Sequence, residues 1–151
     1  MLGSWFDAFE WDAFATYTFA TSGSAARSLA WARRHLHQLN TLVGRAREPG
    51  TAGRWARKPY AVVFHEIGPL GRRGHLHALV GNLQPFPAYC GNLLQPGVWA
   101  QHCCLTHSWL CGNARAFPYD RELGATHYLT KYTVKSGGEW CFIGTPTKLR
   151  A

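Results

Sequence analysis

The chain is short of acidic residues and has no long apolar run. Only 8 of its 151 residues are Asp or Glu, against 16 Lys and Arg, so the formal net charge is +8 with its 8 His neutral. No stretch approaches the roughly 18 consecutive apolar residues that indicate a membrane helix, so we expect no membrane span. A positive excess of this size favours a polyanionic partner, most simply nucleic acid or a membrane surface.

A disulfide framework and a targeting signal are also missing. The 5 Cys are odd in number and have no repeating spacing, which favours free thiols in a reducing compartment. Met1 to Asp12 is aromatic and acidic, without the basic start and apolar run of a secretory signal. No internal repeat or second domain is evident. We therefore expect one cytoplasmic domain over residues 1–151.

The patterns in the first third predict a strand and a helix. Phe14–Ala20 is rich in aromatic and β-branched residues, which predicts a first strand. Ala25–Val43 follows Ser24, a good helix cap, and repeats apolar residues at helical spacing. That apolar stripe consists of Leu29, Ala32, Leu36, Leu39 and Val43.

The remaining elements complete a sheet. Two apolar runs, Pro59–Ile67 and His75–Gly81, flank a glycine-rich turn and predict a β-hairpin. Further patterns predict a helix over 98–110, a strand over 113–118, a helix over 122–135 and a last strand over 139–144. The fold class is therefore α+β, with an antiparallel sheet of about five strands and helices packed on one face. The open face of that sheet can carry polar side chains.

A pair of histidines flanks Leu76 on the second hairpin strand. Because side chains alternate along a strand, His75 and His77 share a face, where they either bind a metal ion or are merely solvated. Spacing alone favours the solvated pair. A metal that binds substrate needs a third ligand. Glu66 on the neighbouring strand supplies a carboxylate suited to Mn²⁺ or Mg²⁺, and His65, which faces the other way, is the alternative.

Two tyrosines alternate with two lysines in the predicted helix near the C-terminus. Tyr128, Lys131, Tyr132 and Lys135 stand at i, i+3, i+4 and i+7, so they line one helix face. A lysine beside a phenol favours the phenolate and also binds phosphate. The same spacing fits a buried stripe that includes Leu129, so the tyrosines are either chemical groups or core residues.

Two other segments leave alternatives open. The basic loop Gly44–Lys58 is either an ordinary solvated connection or a clamp on a phosphate backbone. A cluster of thiols and imidazoles precedes residue 112, but it contains no Cys-x-x-Cys pair. Zinc binding and a buried helix face with small apolar Cys both explain it, and the second is favoured. The cluster consists of His102, Cys103, Cys104, His107 and Cys111.

Three motifs in order resemble those of the HUH endonucleases, the superfamily of rolling-circle replication initiators and transposases. Phe14–Phe19 resembles the first motif. Glu66 with Gly71–Val80 resembles the second, the His-hydrophobe-His motif, although the loop between Glu66 and His75 is about one residue longer than expected. Tyr128–Lys135 resembles the third, in the two-tyrosine form of phage replication initiators.

The resemblance implies an RRM-like, ferredoxin-like fold and a metal-dependent reaction. A divalent ion, Mn²⁺ or Mg²⁺, held by His75, His77 and Glu66 would polarise the scissile phosphate. Tyr128 would attack it to give a 5′-phosphotyrosine and a free 3′-hydroxyl. Tyr132 is then a second nucleophile or a core residue, and Lys131 the lysine that accompanies Tyr128.

The expected substrate is single-stranded DNA at an origin or hairpin. The predicted DNA contacts are Arg72, Arg73, Lys135 and Thr18. Because no helicase domain follows the last strand, a separate host or phage helicase would unwind the DNA. The expected function is nicking and joining that initiates rolling-circle replication of a phage or plasmid, in bacterial cytoplasm. The alternatives are an HUH transposase with the same chemistry and a non-catalytic, RRM-like module that binds single strands.

Overall fold

The computed structural model describes residues 5–21, 24–46, 58–67, 73–83, 106, 109–125, 127–129 and 139–146. Within these ranges the chain forms five strands and one long helix, which lies between the first and the second strand. They are β1 (Ala13–Phe19), α1 (Ala25–Ala46), β2 (Tyr60–Ile67), β3 (Gly74–Gly81), β4 (Gly112–Pro118) and β5 (Trp140–Ile143). None of the helical segments in the described ranges has the length and hydropathy of a membrane span.

The five strands form one antiparallel sheet in the order β4-β1-β3-β2-β5. β2 and β3 are the predicted hairpin, and Glu66 lies opposite His75 in their register. β1 lies on the other side of β3, with Thr16 opposite His77 and Thr18 opposite His75. The histidine strand is therefore the central strand and has a neighbour on each side.

One face of the sheet packs against α1. The buried apolar residues of the helix are at the predicted stripe positions Ala32 and Leu36, which repeat at helical spacing. Ser28 and His35, which lie off that stripe, are buried as well. Arg34 and Gln38, which lie off the stripe, are exposed. Alternate residues of the strands, among them Ala15, Tyr17, Val63, Leu76 and Ala78, complete this core together with Trp109, which precedes β4.

The opposite face carries a second core, which we call the aromatic cluster. It comprises Phe6, Phe9, Trp11, Tyr60, Val62, Phe64, Leu79, Ala125 and Leu129. The α+β class and the antiparallel sheet are confirmed, but the expectation of helices on one face only is incomplete. Helical residues 124–125 and 127–129 contribute to the face that the sequence predicts to be open.

The strand boundaries agree with prediction to within one residue, whereas the three predicted helices differ more. α1 continues through Gly44 to Ala46, three residues beyond Val43. The predicted helix over 98–110 lies mostly outside the described residues, and it does not include Trp109 and Leu110, which are not helical. Residues 121–123 form a turn, and helical structure starts at Gly124 rather than at residue 122. There Asp120 Oδ1 accepts a hydrogen bond from the Glu122 amide at 2.9 Å, which favours a turn.

Candidate functional site

The two histidines of the central strand and Glu66 meet on the face of the aromatic cluster. His77 Nε2 lies 2.9 Å from Glu66 Oε2, and the two side chains are 7% and 21% exposed. The rings of His75 and His77 are stacked at 20°, with their centroids 6.5 Å apart. Strand alternation places all three side chains on one face, because Glu66 and His75 lie directly opposite in the hairpin register.

Threonine hydroxyls on β1 contact the other nitrogen of each imidazole. Thr16 Oγ1 is 3.1 Å from His77 Nδ1, and Thr18 Oγ1 is 3.1 Å from His75 Nδ1. A hydroxyl both donates and accepts hydrogen bonds, so each threonine accommodates either tautomer of its histidine. When the hydroxyl accepts, Nδ1 carries the proton and Nε2 keeps its lone pair for a ligand.

The carboxylate and His77 already hydrogen-bond to each other. Because a carboxylate only accepts, His77 Nε2 carries the shared proton, and in the neutral ring Nδ1 then accepts from Thr16. A cation bound at this position would take the place of that proton, and the Thr16 hydroxyl could then accept from Nδ1 instead of donating to it. Thr16 and Thr18 can therefore orient the imidazoles in either tautomer.

The donor set fits a divalent ion, although the described residues do not form a closed cage. Among them, no three His, Cys, Asp or Glu side chains are grouped as a metal site. The separation of 2.9 Å between His77 Nε2 and Glu66 Oε2 nevertheless matches adjacent ligands of one ion. Two ligands at right angles, each about 2.1 Å from an octahedral ion, are about 3.0 Å apart. The Mn²⁺ or Mg²⁺ site stays a prediction.

His65, the alternative third ligand, lies on the other side of the sheet. Its side chain is 5% exposed, and its Nε2 has no hydrogen-bond partner. Burial lowers the pKa of His65, since the charged imidazolium is poorly solvated there. Geometry thus favours Glu66 as the partner of the His pair, because His65 points away from it.

Tyr128 lies on the histidine face, and the Phe14 side chain contacts both groups. The Tyr128 and Phe14 ring centroids are 4.9 Å apart, and Phe14 stacks on His77 at 6.2 Å with an interplanar angle of 5°. The Tyr128 hydroxyl accepts a hydrogen bond of 3.1 Å from the Asp120 amide. The other predicted members of this motif, Lys131, Tyr132 and Lys135, lie outside the described residues.

The N-terminal segment holds the helical turn that carries Tyr128. Asp7 Oδ1 accepts a hydrogen bond of 2.5 Å from the Ala125 amide, as a helix cap does. Gly124 has a φ of 71°, a backbone conformation that glycine adopts without strain. Nearby, burial and then the Asp7 charge raise the pKa of Tyr119 to about 12.

Sequence reasoning missed several residues of this site. Thr18 was predicted as a DNA contact, and in the structure it hydrogen-bonds His75, whereas its equivalent Thr16 was not singled out. Alternation along β1 groups Phe14, Thr16 and Thr18 on one face, and that signal identifies all three. The capping role of Asp7 has no local signal, because its partner lies 118 positions away.

The other predicted binding residues are placed only in part. Arg73 is exposed at the end of the hairpin turn, and Arg72 lies outside the described residues. Most of the basic loop and of the thiol–imidazole cluster is outside them too. Cys111, which belongs to that cluster, and Cys141 are free thiols whose pKa values are raised by burial.

Comparison with protein-family descriptions, with curated proteins and with solved structures finds no match for this chain.

Proposed function

We propose that the chain is a metal-dependent endonuclease and strand transferase of the HUH type that acts on single-stranded DNA. One observation carries the proposal. His75 and His77 on the central strand each contact a threonine through Nδ1, and His77 contacts Glu66 through Nε2. The motif order and the excess of positive charge fit the initiation of rolling-circle replication of a phage or plasmid.

The histidines and Glu66 would hold the divalent ion. When bound, it supplies Lewis-acid polarisation of the scissile phosphate and a template for the substrate. Thr16 and Thr18 keep the imidazoles oriented, and partial burial of the histidines limits competing water. His75, His77 and Glu66 therefore act as ligands in this proposal and take no part in proton transfer.

Tyr128 is the proposed nucleophile. Its hydroxyl gives up a proton, its oxygen bonds to phosphorus, and the bond from phosphorus to the 3′-oxygen breaks. The leaving 3′-oxygen takes up a proton, so the products are a 5′-phosphotyrosine and a free 3′-hydroxyl. A 3′-hydroxyl of the same or another strand reverses these steps and releases the tyrosine, which makes the reaction a strand transfer.

The first prediction is a covalent adduct between the protein and DNA. The protein is mixed with a pool of single-stranded oligonucleotides and Mn²⁺, and the products are separated on a denaturing gel. We expect a slow-migrating adduct in the wild type, none with EDTA, and at least about 100-fold less in His75→Ala, because a metal ligand is lost. Tyr128→Phe abolishes it, since the phenol is the attacking group.

The matched control is Tyr119→Phe, because the Tyr119 ring lies 5.4 Å from that of Tyr128 and belongs to the same surroundings. This variant should keep wild-type adduct levels. Tyr132→Phe tests the second tyrosine. An adduct that survives Tyr128→Phe and disappears in Tyr132→Phe assigns the nucleophile to Tyr132 instead.

A second candidate function is the non-catalytic module that binds single strands. It is favoured by the hydrogen bond that the Asp120 amide donates to the Tyr128 hydroxyl, which makes that tyrosine part of the local structure. If single-stranded DNA binds and no adduct forms with any oligonucleotide or metal, the binding module is the better description. A transposase shares the cleavage chemistry and gives the same adduct.

A further inference from the structure

The edge strand β4 presents three side chains to the histidine face. Asn113 lies opposite Thr18, Arg115 opposite Thr16 and Phe117 opposite Phe14. Directly opposite residues of antiparallel strands share a face, so these three extend the threonine and phenylalanine row of β1 outward. We call Asn113, Arg115 and Phe117 the β4 row.

The exposure of this row is unusual for a sheet in which both faces carry a core. Phe117 is 56% exposed, whereas Ala116, which points to the α1 face of the same strand, is 4% exposed. Asn113 and Arg115 are also exposed. Arg115 has no salt-bridge partner among the described residues. The row therefore offers an aromatic ring, a cation and an amide to a ligand.

The row lies next to the proposed reaction centre. Arg115 pairs with Thr16, and Thr16 contacts His77 Nδ1, so all three lie on one line across the sheet. Two strand spacings, about 10 Å, separate the backbones of β4 and β3. Phe117 adjoins Phe14, whose ring is 4.9 Å from that of Tyr128. A ligand bound on the β4 row would thus lie next to both the His pair and Tyr128.

We propose that the β4 row binds the single-stranded DNA that flanks the scissile phosphate, with Phe117 stacked on a base and Arg115 paired with a phosphate. This inference rests on the proposed function, because it takes the histidine face as the reaction face. Aromatic stacking accepts every base, and a cation beside it follows the backbone.

The chemistry and the charge of the row support this occupant over a protein partner. An exposed aromatic ring beside an exposed cation is the pairing that binds single strands without sequence preference. The net charge of +8 attracts a polyanion.

The test is binding of fluorescein-labelled oligo(dT) in EDTA, measured by fluorescence anisotropy. We expect Phe117→Ala to bind about 5- to 150-fold more weakly, the range found for one base stacked on an aromatic ring. Phe117→Trp should bind as the wild type or more tightly. Arg115→Ala should weaken binding and reduce the slope of log affinity against log salt by about 0.7, the value for one phosphate contact on a single strand.

Two controls remove similar groups elsewhere. Leu110→Ala shortens an exposed apolar side chain that is 83% exposed, and Arg33→Ala removes an exposed cation from α1. Both should bind oligo(dT) within about twofold of the wild type, as expected of surface substitutions away from a site. Because Phe117 is largely exposed, its replacement by Ala should leave the folded state intact, which a thermal unfolding curve checks.

A second probe isolates stacking from charge. The wild type should prefer oligo(dT) over an abasic oligonucleotide of equal length, and Phe117→Ala should lose most of that preference. Equal preference in both proteins, or wild-type affinity in both Phe117→Ala and Arg115→Ala, overturns the inference. These outcomes do not depend on adduct formation. If the wild type forms adducts and the β4-row variants bind oligo(dT) normally, only the role of the β4 row is refuted. If the variants bind more weakly and the wild type forms no adduct, only the cleavage chemistry is refuted.

Discussion

His65 and His77 are buried imidazoles on adjacent strands, and they differ in their hydrogen bonding. His77 contacts Thr16 through one nitrogen and Glu66 through the other. His65 Nε2 has no partner and faces Gly74, where an added Cβ would lie 3.0 Å from that nitrogen. A buried polar atom without a hydrogen bond costs about 1–3 kcal/mol, so His65 weakens the fold while His77 is satisfied.

His65 makes stability depend on pH. The folded state holds the pKa of His65 below its ordinary value of 6.5, mainly through burial. At pH above about 7 the ring is neutral in both states. As the pH falls through the unfolded value, the unfolded chain takes up a proton that the folded chain does not, and the free energy of unfolding falls.

We therefore expect His65→Leu to stabilise the chain by about 1 kcal/mol at pH 7 and by more at pH 5. Urea unfolding at the two pH values measures both. The exposed His37→Leu serves as the control and should change stability by less than about 0.5 kcal/mol at either pH. If the difference in unfolding free energy between His65→Leu and wild type were the same at both pH values, the protonation of His65 would not be the cause.

For single residues, the alternation of side chains along a strand predicted most of the site. It put His75 and His77 on one face and separated Glu66 from His65, and the structure agrees on both. It did not supply the ring contact of Phe14 with Tyr128, because that contact depends on how a distant helical turn packs onto the sheet.

The segment that precedes β1 is the element on which the histidine face depends. Phe6, Phe9 and Trp11 are buried in the aromatic cluster. The Tyr60 hydroxyl donates to the Glu10 carbonyl, and Gly81 leaves room for the Tyr60 ring beside it. The segment therefore holds the first residue of β2 in place. Through Asp7 it also holds the helical turn that carries Tyr128.

Asp7→Ala should destabilise the chain by about 1 kcal/mol, because the Ala125 amide loses its capping acceptor. Asp7→Asn keeps an oxygen in that position and should change stability by only a few tenths of a kcal/mol. Urea unfolding gives the stability, and the rate of adduct formation gives the effect on Tyr128. An Asp7→Ala variant as stable and as fast as Asp7→Asn would show that the hydrogen bond to Ala125 is unimportant.

Strands and the long helix were predictable because each has its own repeat of apolar residues. The segment over residues 5–12 was not, since its aromatic residues follow no repeat and their partners are far away in sequence. Turn chemistry at Asp120 shifted the start of the later helical turn, and the apolar pattern over 122–135 contains no mark of that boundary.

Over the whole molecule, the positive charge predicts a salt-dependent affinity for a nucleic-acid partner. Each phosphate neutralised on a single strand contributes about −0.7 to the slope of log affinity against log salt. If about four phosphates are neutralised, affinity for oligo(dT) should fall about 50-fold between 50 and 200 mM salt. Titrations at several salt concentrations measure the slope, and a slope near zero would argue against a nucleic-acid partner.

Topology was the least predictable property of the molecule. The order of elements indicated an antiparallel sheet, but not that β1 lies between β3 and β4, both of which follow it at long distances in sequence. That placement puts the threonines of β1 beside the histidines and brings Arg115 within two strands of His77. Periodicity describes each strand alone, and only packing of the complete sheet decides which strands are neighbours.

The placement of β1 also sets the order in which the site comes into existence during translation. The ribosome releases β1 before any other strand, yet its partner positions in β3 are 57 and 61 residues further along, at the contacts with Thr18 and Thr16. Pairing over such separations is slow, because loop closure precedes any gain from the contacts. A nascent chain therefore carries Thr16 and Thr18 before the histidines that they contact, and these hydrogen bonds form only once β1 and β3 have paired.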